Sequence, residues 1–200
     1  MIDLKTACLY GLKPHELGYC GPKNAAKSVG LIKRYLRGEQ VDEDKIREIL
    51  LAFPAACRFY SSIASQNSVT DIFDRRVVKA YWLGNDFLDH KEGYKLHHNW
   101  YVYSSSDNYK LADLCRIGWG EVIRAKTFKV MVKYQPIIKN ETGFYLGNLV
   151  EKELSRVKGL IADLQKGDII SFHWNMALEV LSEEDLRNLQ RYTQKVIDHL

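Results

Sequence analysis

The cysteines and histidines of this chain are the residues that could act as nucleophiles, general bases or metal ligands. Cys20 lies in the segment Gly18-Tyr-Cys-Gly-Pro22. Pro22 predicts the first residue of a helix, because proline is favoured at that position. The unpaired amides and the positive dipole end of such a helix lower the pKa of a nearby thiol, and a thiolate is both a nucleophile and a soft metal ligand. The alternative is that the glycines and Pro22 only shape a turn in which Cys20 fills a gap.

Three histidines could act as a general base for a Cys20 nucleophile: His97, His98 and His173. The aromatic-rich segment 98–103 predicts a strand. Adjacent strand residues point to opposite faces, so one histidine of the pair His97 and His98 is expected to face a pocket and the other solvent. These residues are compatible with a thiol-dependent hydrolase or acyltransferase acting on a small acyl or amide substrate. Whether the chain is an enzyme at all stays open at this stage.

A second candidate site combines Cys115 with His173. Cys115 precedes a glycine-containing strand entry, and His173 lies near the end of a predicted strand, Ile169–Trp174. Strand alternation places His173 on the face that also carries Ser171, which favours a ligand or a solvent-facing residue. A thiolate and an imidazole together suit a transition metal such as iron. Cys20 with His97 or His98 could form a second metal site.

Residues 114–198 resemble the HypC/HupF family of nickel–iron hydrogenase maturation chaperones. The likeness rests on Cys115, Gly120, the turn Gly167-Asp168 and His173, followed by a short acidic helix capped by Ser182. It implies a small OB-like barrel in which the cysteine, helped by the histidine, holds an iron carrying cyanide and carbonyl ligands. It also implies two protein partners, a maturation scaffold and the hydrogenase large subunit.

Nearly the full chain also resembles an uncharacterised family of bacterial and archaeal proteins. The matching pieces include residues 17–22, residues 80–85 (Ala-Tyr-Trp-Leu-Gly-Asn), His97-His98 and Phe172-His-Trp174. This resemblance implies no activity, because none is known to us for the family.

The spacing of the apolar residues changes from a helical period to a strand period near the middle of the chain. Residues 1–105 read as mainly helical, with a break at Pro54 and a further helix from Thr70. Residues 106–200 read as a small antiparallel OB-like barrel or sheet, closed by a C-terminal helix from Ser182. The predicted fold class is therefore α+β, with a helical N-terminal half packed on the barrel region. Gly84 is expected to lie within the helix from Thr70 and to let another backbone, such as that of the sheet, approach it.

Composition and charge narrow the class of protein without naming an activity. The 29 Lys and Arg residues against 25 Asp and Glu give a net charge of +4, without a dense basic motif, so no nucleic-acid partner is expected. No signal peptide and no membrane span are visible, which predicts a cytoplasmic protein with free thiols. Three functions follow: an accessory or chaperone protein in metal-centre assembly, a Cys20-dependent enzyme, or a protein-interaction module without catalysis.

Overall fold

The computed structural model describes residues 1–23, 25–106, 108–141, 143–157, 159–161 and 163–200. Within these ranges the chain forms a helical layer followed by a β-barrel and a last helix. No helix of this described part combines the length and the apolar composition that crossing a bilayer requires.

The helices and strands follow one another as an α+β protein. The helices are α1 Leu4–Glu16, α2 Ala25–Leu36, α3 Glu43–Leu51, α4 Pro54–Gln66, α5 Arg75–Trp82, α6 His98–Ser105, α7 Tyr109–Cys115 and α8 Glu183–Ile197. The strands are β1 Gly118–Ala125, β2 Lys129–Tyr134, β3 Ile137–Asn140, β4 Gly143–Leu146, β5 Val150–Ser155, β6 Ile169–His173 and β7 Met176–Val180.

Five strands close into a barrel in the order β1-β2-β5-β7-β6. All neighbouring strands are antiparallel except β5 and β7, which are joined in parallel through Ser155 and Met176. A five-stranded barrel with this strand order is the architecture of an OB-like fold. The β3–β4 hairpin is inserted between the second and third strands of the barrel. The α+β prediction is confirmed, and the barrel is mixed at this one pair rather than wholly antiparallel.

The predicted strand at 98–103 is wrong, because these residues form helix α6. The Nδ1 atom of His97 caps this helix by accepting from the Asn99 backbone amide at 3.2 Å. The buried Asn99 side chain then accepts from the Ile117 amide at 2.8 Å and donates to Thr193 Oγ1 at 2.9 Å. These tertiary hydrogen bonds override the weak β preference of the aromatic residues.

Other helix boundaries differ in smaller ways from the sequence expectations. The break at Pro54 is confirmed, since α3 ends at Leu51 and α4 begins at Pro54. The helix expected from Thr70 begins only at Arg75, with Asp74 as the capping residue. The cap of α8 at Ser182 is confirmed.

Two apolar cores lie on opposite sides of the barrel wall. One fills the barrel interior, and the larger one lies between the helices and the outside of the barrel. Tyr10 of α1 joins the layers: its hydroxyl donates to Glu179 Oε1 at 2.7 Å and accepts from Ser171 Oγ at 2.9 Å. Helix α1 is thereby fixed against β6 and β7, beside His173.

Gly84 follows α5 rather than lying within a helix, and its close neighbour is a side chain of α8 rather than the sheet. Its φ of +83° is in the left-handed region. The ring of the fully buried Tyr192 packs directly over it, and the Tyr192 hydroxyl donates to Asp89 at 2.7 Å. The turn after α5 is therefore the surface on which α8 packs.

Candidate functional site

His173 is placed by the alternation of β6 and by the tight turn that follows it. Ile170 and Phe172 point into the barrel core, so His173 points outward, toward the helical layer. Trp174 and Asn175, at φ of 50° and 56°, form the two-residue turn to β7. Of the two expected roles, the solvent-facing one is wrong, because His173 is only 1% exposed.

One ring nitrogen of His173 makes a hydrogen bond that fixes the ring, and the other has no hydrogen-bond partner among the described residues. Its Nδ1 donates to the Tyr10 carbonyl at 2.8 Å, and burial lowers the pKa of His173 to about 4, so the ring is neutral. Nε2 therefore carries a lone pair, and it is buried without a hydrogen-bond partner among the described residues. The nearby Cys115 carbonyl is an acceptor and cannot satisfy that lone pair. A second-nitrogen hydrogen bond of this kind is what orients a metal-binding histidine.

Cys115 is the last residue of α7, directly before β1. The Leu114 carbonyl accepts from the Trp174 backbone amide at 2.9 Å, which holds the end of α7 against the β6–β7 turn. Burial raises the pKa of the Cys115 thiol to about 12. The Trp174 indole N–H is close enough to the sulfur to oppose that rise, but it does not reach ordinary hydrogen-bond geometry. Without a metal, Cys115 is thus a neutral thiol.

Asp113 anchors the same end of α7. Its carboxylate accepts from Arg116 Nε at 3.2 Å, from the Tyr134 hydroxyl at 3.0 Å and from the Ile137 amide at 2.8 Å. The Arg116 side chain is itself buried, so this pairing offsets the cost of enclosing its charge. Helix α7, strand β2 and strand β3 are joined here, two residues before Cys115.

His98 brings the helical half of the chain to Cys115. Its Nε2 donates to the Cys115 carbonyl at 3.0 Å, so in the neutral ring Nδ1 accepts from the Tyr81 hydroxyl at 2.9 Å. Burial lowers the pKa of His98 well below its usual value, and the neighbouring His173 adds to that shift. For Nε2 to bind a metal, its proton must move to Nδ1, where the Tyr81 oxygen can accept it.

These three side chains form one cluster. A ring nitrogen of His98, a ring nitrogen of His173 and the sulfur of Cys115 all lie within 4.8 Å of one another. Tetrahedral metal bonds of about 2.0–2.3 Å separate donors by roughly 3.5 Å, so small side-chain movements would close the set around an ion. Both imidazoles are already in the neutral form that ligation requires, while the thiol must lose its proton to the metal.

An apolar cavity of about 260 Å³ opens above this cluster. His98, Cys115 and His173 all contribute to its wall, together with aromatic and small side chains from α1, α4 and α5. The cavity runs between the helical layer and the barrel edge, so both halves of the chain build it.

Cys20 lies on the loop after α1 and lines the same cavity at its exposed side. The His15 ring holds the loop by donating from Nδ1 to the Cys20 carbonyl at 2.9 Å. The expectation of a helix from Pro22 is wrong, since α2 begins at Ala25. Enclosure by the cavity raises the pKa of the Cys20 thiol, so the expected thiolate stabilised by a helix end is not found.

His97 is the one predicted histidine that lies outside the cluster. It caps α6 and stacks on Tyr192, with ring centroids 6.1 Å apart. Burial lowers the pKa of His97 to about 3. It acts as a structural residue, and its assignment as a metal ligand or base is not supported by its position.

Sequence reasoning missed the residues that orient the cluster. The sequence predicted no role for Tyr81 in the site, and the backbone carbonyl of Tyr10 carries no sequence signal at all. His15, a buried histidine that fixes the Cys20 loop, was not considered. A polar hydroxyl or imidazole inside an apolar helical face was the available signal for Tyr81 and His15.

Comparison with known sequences gives a family but no activity. The model of a family of unknown function, DUF6390, matches residues 6–103 and 102–200. No curated protein and no solved structure gives a match. The resemblance to hydrogenase maturation chaperones therefore receives no support from these comparisons.

Proposed function

The chain belongs to DUF6390, a family of unknown function, and we propose that it binds a soft or borderline transition metal through His98, Cys115 and His173 as an accessory protein in metal-centre assembly. One observation carries this proposal: His173 Nε2 is buried without a hydrogen-bond partner among the described residues, and a ring nitrogen of His173 lies within 4.8 Å of the Cys115 sulfur and of a His98 ring nitrogen. An isolated lone pair of this kind is costly unless a proton donor or a metal meets it.

The donor set favours soft and borderline metals over hard ones. Thiolate and imidazole suit zinc, copper and iron, whereas Mg²⁺ and Ca²⁺ prefer oxygen ligands. Three protein donors leave one coordination position open toward the cavity. Cys20 lines that cavity and is the available fourth protein ligand, which its loop could deliver by moving inward.

The residues that line the cavity favour storage of a bound metal over metal-dependent hydrolysis of a substrate. Of the described residues that line it, none is Asp, Glu, Lys or Arg. A hydrolytic metal site commonly uses a carboxylate as its general base. Tyr60 and Tyr81 in the wall are no substitute, because burial keeps the pKa of each hydroxyl well above its usual value.

The finer proposal is an iron unit destined for a nickel–iron hydrogenase. It rests on the HypC/HupF resemblance, and the closed five-stranded barrel is compatible with it. In that family the cysteine follows the initiator methionine, whereas Cys115 is fixed within the chain at the end of α7. Delivery would thus require the cavity to open, rather than a free N-terminus to swing.

Cobalt loading without oxygen tests the metal proposal directly. We expect one Co²⁺ per chain and a near-ultraviolet thiolate-to-cobalt charge-transfer band, because Cys115 loses its proton on ligation. In a Cys20→Ala background, which removes the other thiol of the described cavity lining, Cys115→Ala should abolish the band. Cys57→Ala is the matched control, since Cys57 is also half-buried but lies outside the cavity wall. An unchanged band after Cys115→Ala in this background would contradict the proposal.

Hydrogenase activity in the native host tests the finer proposal. If the chain delivers iron, Cys115→Ala should leave the large subunit unprocessed and the hydrogenase inactive, while Cys57→Ala should mature it normally. Normal maturation in a Cys115→Ala strain would exclude hydrogenase as the destination and leave the metal-binding proposal to the cobalt experiment.

A further inference from the structure

The cavity above the cluster has more room than a metal ion and its water ligands need. Its volume is about 260 Å³. A dry protein cavity of about 150 Å³ binds benzene, so this one is suited to a molecule of about ten non-hydrogen atoms. Drug-sized ligands occupy larger pockets, which sets an upper limit on the size of the occupant.

Flat aromatic side chains form much of the cavity wall. They come from α4, α5 and α6 and from the residue before α4, namely Phe53, Tyr60, Tyr81, Trp82 and Tyr101. Several are locked by contacts of their own: Trp82 Nε1 donates to the Tyr60 hydroxyl at 2.6 Å, and Tyr81 packs edge-to-face on Tyr60. A pre-formed aromatic wall binds a flat ring without first paying an ordering cost.

Small residues on the facing helices leave the space open. Ala7 and Gly11 of α1 and Ala55 and Ala56 of α4 line the cavity. Larger side chains at these positions would fill it. The described lining residues also carry no formal charge at neutral pH, so a charged occupant would lose its hydration without gaining an ion pair.

The exposed side of the cavity gives a small molecule access. It is formed by the loop that carries Tyr19, Cys20 and Gly21. Tyr19 is 63% exposed and stacks on Trp174, with ring centroids 4.3 Å apart. One short loop therefore separates the cavity from solvent.

We propose that this cavity binds a small, neutral, mainly aromatic molecule of about ten non-hydrogen atoms beside the His98, Cys115 and His173 cluster. The proposal goes beyond metal binding, because it stands on the size, the aromatic walls and the lack of charge of the cavity. It holds for the metal-free chain as well as for the metal-loaded one.

Titration calorimetry with indole as the probe tests the proposal on the full chain, with and without Co²⁺. For both forms we expect saturable binding of indole. For the metal-free chain we expect at least tenfold weaker binding of indole-3-acetate, because the described lining holds no cation to pair its carboxylate. Ala56→Phe should weaken indole binding at least tenfold by filling the space. Ala26→Phe is the control, because Ala26 lies on the exposed face of α2.

Each outcome of the titration bears on the proposal. Failure of the wild-type chain to bind indole, equal binding of indole-3-acetate by the metal-free chain, or full binding by a folded Ala56→Phe chain would overturn it. If Ala56→Phe does not fold, Ala55→Phe fills the same space, and the comparison of the two probes needs no variant. A chain that binds indole in the expected pattern but takes up no Co²⁺ would support this proposal and contradict the metal proposal.

Discussion

Replacing His173 with alanine is expected to weaken Zn²⁺ or Co²⁺ binding about 100-fold. Four-ligand zinc sites in small peptides contribute about 10–16 kcal/mol, so each ligand accounts for roughly 3 kcal/mol. Losing His173 should cost at least that share, because its Nε2 is buried without a hydrogen-bond partner among the described residues and needs no proton transfer to bind a metal. The affinity is measured by competition with a chromophoric chelator, on protein purified without oxygen.

His97→Ala is the matched control for this experiment. His97 is as deeply buried as His173 and is adjacent to a cluster residue, yet it serves as the cap of α6. We expect this variant to lose about 1 kcal/mol of stability from the missing cap and to keep its metal affinity. Equal losses of affinity in the two variants would point to general loosening of the fold and contradict the ligand assignment. Circular dichroism spectra establish that both variants are folded.

Gly84→Ala is expected to destabilise the protein by about 3 kcal/mol or more. A left-handed conformation costs a residue with a Cβ about 1–2 kcal/mol, and overpacking a core adds about 1–3 kcal/mol. A Cβ at position 84 would overlap Tyr192 Cδ2, in the side chain that holds α8 in place. Urea unfolding followed by fluorescence gives the free energy of unfolding.

Gly38→Ala separates the two contributions to this loss. Gly38 has nearly the same φ, +79°, but no atom within 4 Å of the position where a Cβ would be. This variant should therefore lose only the conformational part, about 1–2 kcal/mol. If the free energy of unfolding falls equally in both variants, the contact between Gly84 and Tyr192 does not hold α8 in place.

Local signals were sufficient to predict β6 and α8 but not β7, the strand between them. Strand β6 was predicted from its alternating apolar residues, and α8 from the Ser182 cap and its apolar spacing. The same reasoning failed at 98–103, where β-preferring aromatics form a helix. Asn99 decides that outcome through hydrogen bonds to Ile117 and Thr193, partners that are distant in sequence.

The candidate site was predictable only in part. Its residue types were visible, since Cys20, Cys115, His98 and His173 were all selected from the sequence. Their convergence was not, because chain order does not show which side chains meet across two layers. The choice of His98 over His97 depends on the turn of a helix that the sequence did not predict. The raised pKa of the Cys20 thiol follows from enclosure by the cavity, which no local motif encodes.

The His98 hydrogen bond to the Cys115 carbonyl has a consequence for how the chain acquires a metal. The donors come from α6, from the end of α7 and from the end of β6, so they assemble only after the helical layer has docked on the closed barrel. A zinc finger folds around its ion, whereas here the ion would have no partly formed site to nucleate. If the chain binds a metal as proposed, its affinity would measure the correct assembly of the two layers, and a misfolded or half-synthesised chain would lack the assembled donor set.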